Sequence, residues 1–203
     1  MKKPSNYDEF EATESISFDG LKDGIYPIKI VSVEDIIGKE YLKIKIDIAD
    51  GEYKGVFAKL ANNNLENWSS QATIYKSYKE TATKFFKAFI TAIEKSNRGY
   101  IWNWDEKTLV GKYAYAVYQE EEYLYSPTPD ELEKRTAVKC QEIRSIEAFK
   151  NGDIKEPKGI KLLNKKDQTK WENWEDKPVG NSVSNDPFAA IKNQDISESD
   201  LPF

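Results

Sequence analysis

The chain has 203 residues, 39% of them hydrophobic and 32% charged, with 30 basic and 35 acidic side chains giving a net charge of −5. That is enough for one ordinary core, while no stretch approaches the roughly 20 apolar residues of a membrane span and the N-terminus lacks the apolar run of a secretory signal. Histidine is absent and Cys140 is the single cysteine; the commonest general base and metal ligand are missing and no intrachain disulfide can form, which counts against an enzyme and leaves no metal or cofactor to expect.

In chain order, residues 1–17 read as a polar extension. The stretch "GIYPIKIVSVEDI" (24–36) predicts a first strand, "GKEYLKIKIDIADG" (38–51) a second and "EYKGVFAKL" (52–60) a third, separated by Gly-containing or Asp-Gly turn signals. In the second, Leu42, Ile44, Ile46 and Ile48 alternate with Tyr41, Lys43, Lys45 and Asp47, which places four aliphatics on one face and polar or aromatic groups on the other. The same alternation in the third puts Val56, Ala58 and Leu60 inside and leaves Tyr53, Phe57 and Lys59 on the ligand-facing side.

The next segment, "NNNLENWSSQATIYKS", is polar and predicts a loop. Beyond it Ala82, Phe85, Phe86, Phe89, Ile90 and Ile93 recur every three or four residues, the signature of an amphipathic helix, with Asn97 and Gly99 as its stop. Strand character returns in "LVGKYAYAVYQEEEY" and "RTAVKCQEIRSIEAF", joined by the proline-containing "LYSPTPDELEK". From about Asn151 the pattern dissolves into polar sequence, and residues 159–203 predict a flexible linker and a disordered tail.

Three strands, a helix and two strands is the element order of the OB-fold, a five-stranded Greek-key barrel whose second and third strands bind oligonucleotides or oligosaccharides; an α+β sheet with one covering helix would give the same order. The expectation is thus an OB-fold domain over residues 18–158 with one helix between strands 3 and 4. On it, Tyr41, Lys43, Lys45, Tyr53, Phe57 and Lys59 offer rings for base stacking and ammonium groups for phosphates, joined by Lys112, Arg135 and Lys139. Tyrosines and lysines are equally ordinary on the exposed face of any antiparallel sheet. Trp102 and Trp104 fit core or loop packing better than stacking.

Charge is unevenly spread. Residues 178–203 hold Asp186, Asp195, Glu198 and Asp200 against Lys192 alone, so the rest of the chain is nearly neutral and can present a basic face. The last residues, "DISESDLPF", resemble the C-terminal tip of bacterial single-stranded DNA-binding proteins (SSBs), where acidic residues precede a small apolar group, Pro and Phe; "NDPFA" resembles a segment of their linkers. The resemblance implies that Asp195, Glu198, Asp200, Leu201, Pro202 and Phe203 dock replication and recombination proteins: Phe203 in an apolar pocket, the acidic groups on basic surroundings.

The segment "FKAFITAIEKSNRGYIW" is similar to a motif in proteins from replication and recombination loci of phages of Gram-positive bacteria, a group identified with phage-type SSBs, and that likeness covers residues 18–160. The body departs from bacterial SSBs in lacking their opening strand at residue 1 and in its large helix and "SPTP" loop, so their quaternary state does not carry over and homo-oligomerisation stays open. The resemblance implies a protein of the bacterial host cytoplasm that coats single-stranded DNA with little sequence preference, without membrane or cofactor.

Two other classes compete. An OB-like adaptor would bind protein or sugar and ignore DNA. A metal-dependent nuclease would need Glu120, Glu121 and Glu122 to converge on one ion, which adjacent residues of a strand cannot do.

Overall fold

The computed structural model describes residues 18–175; the tip residues Asp195, Glu198, Asp200, Leu201, Pro202 and Phe203 and the N-terminal extension lie outside them. The described chain is mainly β: β1 (Gly24–Ile36), β2 (Tyr41–Ile48), β3 (Thr73–Ser77), β4 (Tyr113–Tyr125) and β5 (Glu133–Arg144) form one antiparallel sheet in the order β3-β2-β1-β4-β5. The alternation in β2 sets its register. Leu42, Ile44 and Ile46 are at most 3% exposed and face a core shared with Ile28 and Ile30 of β1 and Ala114, Ala116 and Tyr118 of β4. A bulge at Val31 lets β1 bend between its partners, which increases the twist of the sheet.

Helix α2 (Thr83–Ser96) covers this core with Phe86, Phe89, Ile90 and Ile93, as its 3.6-residue period predicts. Its end is tied down by Asn97. The Asn97 amide Nδ2 donates to the Ile93 carbonyl at 2.7 Å and to the Tyr113 carbonyl at 2.9 Å, while its Oδ1 accepts from the Tyr113 N–H at 3.0 Å. Gly99 then turns the chain at a left-handed φ of 77°.

Three expectations need correction. The segment read as the third strand is a turn followed by a short helix, α1 (Val56–Leu60). Gly55 opens it at φ 69°, and the Asp47 carboxylate accepts the N–H groups of Ile48 (2.8 Å), Phe57 (3.1 Å) and Ala58 (3.2 Å), giving the buried acid partners and the helix start an anion. The third strand comes instead from the polar loop, as Thr73–Ser77.

The sheet is also open rather than closed into a barrel. β3 and β5 are its two edges, and β3, only five residues long, turns Lys76 toward the inner side, a charge that discourages pairing at an edge. A 3₁₀ turn over Ser70–Ala72 spans part of the gap: the Gln71 amide Nε2 donates to the Val138 carbonyl at 3.3 Å, and Tyr118 Oη donates to the Gln71 carbonyl at 2.8 Å.

Finally, the sheet ends earlier than expected, and residues read as a linker return to it. β5 stops at Arg144, where Ser145 Oγ accepts from the Ala148 N–H and starts α3 (Ile146–Lys150), whose Phe149 stacks on Tyr115 with ring centres 3.9 Å apart. Residues from 159, read as a linker, return to the sheet. The Lys161 N–H donates to the Glu120 carbonyl at 2.8 Å and the Glu122 N–H to the Lys161 carbonyl at 2.9 Å, covering the edge that β4 exposes beyond the start of β1. Helix α4 (Lys165–Glu175) follows. Among the described residues no helix is long and apolar enough to cross a membrane.

Candidate nucleic-acid interface

Because β2 buries its aliphatics, Tyr41, Lys43 and Lys45 stand on the outer face. Register places Lys43 opposite Tyr75 of β3 and Glu34 of β1, Lys45 opposite Thr73 and Ser32, and Tyr41 opposite Ser77 and Ile36. Tyr41 and Tyr75 meet edge to face, ring centres 5.4 Å apart, and Tyr75 remains 58% exposed. The Trp68 indole N–H donates to the Ile46 carbonyl at 2.9 Å and holds the loop before β3 across the end of β2, where Lys45 Nζ donates to the Leu65 carbonyl. Together these groups line a depression of about 270 Å³ with the side chains of Lys43, Lys45, Trp68 and Tyr75 at its walls.

This surface offers an exposed ring flanked by two ammonium groups. Lys43 Nζ lies 3.8 Å from Glu34 Oε2, the lysine half-buried and the glutamate exposed; a pair so open to water contributes about 0–1 kcal/mol, so a phosphate can replace the carboxylate at little cost. A base on Tyr75 would place its neighbouring phosphates within reach of both lysines. Stacking on Tyr75 would accept any base, since every base presents a π-face.

Arg135 and Lys139 form a second group on the β4–β5 hairpin. Register sets Tyr123 opposite Arg135 and Tyr125 opposite Glu133. The Arg135 guanidinium lies 3.9 Å from the Tyr125 ring centre and 2.6 Å from Glu133; Lys139 Nζ lies 4.8 Å from the Tyr123 ring centre and 2.9 Å from Glu121. The bridge from Gln71 to Val138 connects this hairpin with the loop that rims the first depression.

The remaining sequence-predicted residues separate from these groups. Phe57 is 0% exposed in the core and cannot stack a base, because α1 rather than a strand carries it. Tyr53 packs edge to face against Phe18 and Tyr26, half-buried; Lys59 is exposed on α1; Lys112 Nζ sits 4.5 Å over the Tyr100 ring in the turn before β4. Trp102 is half-buried beside Phe86, and Trp104 lies over the same ring, 79% exposed and held at a left-handed φ of 67°. Sequence reasoning missed Tyr75, Trp68, Tyr123 and Tyr125. The alternation Thr73, Tyr75, Ser77 against Ile74 was the available signal for the first of them.

The acidic run on β4 divides as strand geometry requires. Glu121 meets Lys139 and Lys161 on one side, whereas Glu122 accepts the Leu163 N–H at 3.2 Å and lies 3.7 Å from Lys134. Burial alone would raise the Glu121 carboxyl, but hydrogen bonds from Gln141, Lys139 and Lys161 outweigh it and hold the group below the usual carboxylate range. Among the described residues no group of three or more His, Cys, Asp or Glu side chains is placed to hold a metal ion.

Cys140 is packed against the core, and desolvation pushes its thiol up to about 12, so the thiolate is scarce at neutral pH. A disulfide reagent at pH 8 is therefore expected to modify Cys140 roughly 50-fold or more slowly in the folded than in the urea-unfolded chain, after allowing for the greater nucleophilicity of a weaker acid. Equal rates would contradict the burial of the sulfur. Against known protein-family models and curated proteins, the chain matches none.

Proposed function

We propose that the protein binds single-stranded DNA with little sequence preference, holding it on the outer face of β2 and β3, and that the acidic C-terminal segment ending Leu201-Pro202-Phe203 recruits proteins of DNA replication and recombination. The observation that carries the reading is the exposed Tyr75 ring, edge to face with Tyr41, opposite Lys43 in the register and sharing one depression with Lys43 and Lys45. Stacking and phosphate neutralisation of this kind do not depend on base identity.

Topology supports the same reading. The strand order β3-β2-β1-β4-β5, with a helix between β3 and β4, is that of an OB barrel unrolled at the seam between its third and fifth strands. OB-folds are partly open barrels that bind oligonucleotides through strands 2 and 3, which here carry the depression beside Tyr75. The resemblance of the C-terminal segment to SSB tips adds partner recruitment, in the setting of a phage or related mobile element within a bacterial cytoplasm. The reading involves no catalytic step and no cofactor.

Trp68 provides the test. Its indole lines the depression, so titrating oligo(dT) into the protein is expected to quench tryptophan fluorescence saturably. Unchanged fluorescence together with unchanged mobility of labelled oligonucleotide would overturn the reading and leave a protein- or sugar-binding adaptor.

A further inference from the structure

The open seam has a second side. A groove of about 860 Å³ runs between α2, the edge of β3 and the end of β5. Lys76 enters it from β3, Lys84, Lys87 and Lys95 from α2, and Arg144 from β5, against Glu142 and Asp153. Arg144 is paired with Glu142 at 3.4 Å and Lys95 with Glu147 at 3.9 Å; Lys76, Lys84 and Lys87 form no ion pair with any of the described residues. The basic lining continues beyond the end of α2 through Arg98 and Lys150.

The groove also holds a ring. Phe86 and Phe89 of α2 are buried, but Phe85 is 65% exposed, with Lys84 Nζ 4.8 Å from its centre. From Lys84 to Lys95 the helix advances eleven steps, about 16 Å at 1.5 Å per residue, a length that accommodates several consecutive phosphates. Continuity with the outer face decides the class of ligand. Tyr75 and Lys76 are successive residues of β3 and point to opposite sides of a free edge, so one strand of nucleic acid leaving Tyr75 reaches Lys76 by crossing that edge alone.

We propose that this groove is a second single-stranded DNA subsite, in which Lys76, Lys84, Lys87 and Lys95 take phosphates and Phe85 stacks a base, continuing the path that starts at Tyr75. The proposal rests on the single-stranded DNA reading of the outer face and extends the length of DNA that one protein covers. An acidic peptide would find the same charges but has no need of the continuity across β3.

The test uses the full chain and the variant Lys84→Ala/Phe85→Ala/Lys87→Ala, all three side chains being exposed. Oligo(dT) of about 8 nucleotides fills one face, and oligo(dT) of about 24 nucleotides exceeds it. Substitution is expected to leave the short oligonucleotide's affinity unchanged, to weaken the long one about tenfold or more, and to reduce its log–log salt slope by about 1.4, at 0.7 per lysine. A variant that binds the long oligonucleotide with wild-type affinity and slope, or loses both lengths equally, overturns the subsite while the DNA reading stands. Failure of the wild type to bind either length overturns both. Capture of poly-glutamate by the wild type but not the variant, with oligonucleotide binding unaffected, assigns the groove to acidic partners and also overturns the proposal.

Discussion

Phe57→Ala is expected to lower the free energy of unfolding by about 3–5 kcal/mol, the cost of emptying a buried aromatic site. The ring is 0% exposed and meets Phe18 edge to face with centres 5.9 Å apart, while its backbone N–H is held by the Asp47 carboxylate. Truncation removes the packing of the ring without relieving the constraint on the backbone, so little relaxation can refill the space. Urea denaturation followed by circular dichroism measures the change. A loss under about 1 kcal/mol would place Phe57 at the surface, where a strand in this segment would have put it. The variant also separates the two roles assigned to this residue type, because a surface base-stacking ring would lose DNA affinity at unchanged stability.

The second large effect is on binding. Lys43→Ala/Lys45→Ala/Tyr75→Ala removes the two phosphate contacts and the stacking platform proposed for the outer face. Loss of a stacked base costs about 1–3 kcal/mol, which is roughly 5- to 150-fold in affinity, and each lysine contributes about 0.7 to the log–log salt slope. The triple variant is thus expected to bind oligo(dT) at least tenfold more weakly at low salt, with a slope smaller by about 1.4. None of the three side chains belongs to the buried core, so the thermal transition should stay close to that of the wild type. Wild-type affinity in the triple variant would remove the outer face from the DNA path.

The parts of the fold that were legible in the sequence are those with a sustained period. β2 alternates without interruption for eight residues and α2 repeats its apolar face over four turns, so each declares both its type and its buried side. The segment Val56–Leu60 is too short to show which period it follows, and what decides it is a contact distant in sequence, the Asp47 carboxylate ten residues earlier. β3 is hidden for the opposite reason. Its inner side carries Lys76 at an open seam, so only Ile74 speaks for burial and the surrounding residues read as loop.

The site divides along the same lines. Tyr41, Lys43 and Lys45 follow from the alternation of β2, whereas Tyr75 and Trp68 depend on a strand and a loop whose positions are set by tertiary hydrogen bonds. Arg135 and Lys139 lie on a hairpin that the sequence does indicate, but their tyrosine partners emerge only from the pairing register. The return of residues 159–163 to β4 was equally hidden, because backbone pairing at an edge needs no apolar pattern.

The measurement that bears most directly on the central claim is the fluorescence anisotropy of labelled oligo(dT), titrated with the full-length chain and with a chain ending at Gln194, at low and at high salt. Binding that saturates, weakens linearly on a log–log salt plot, and survives or strengthens when residues 195–203 are removed is the predicted result. No binding by either chain at low salt, or binding that disappears with residues 195–203, would contradict it.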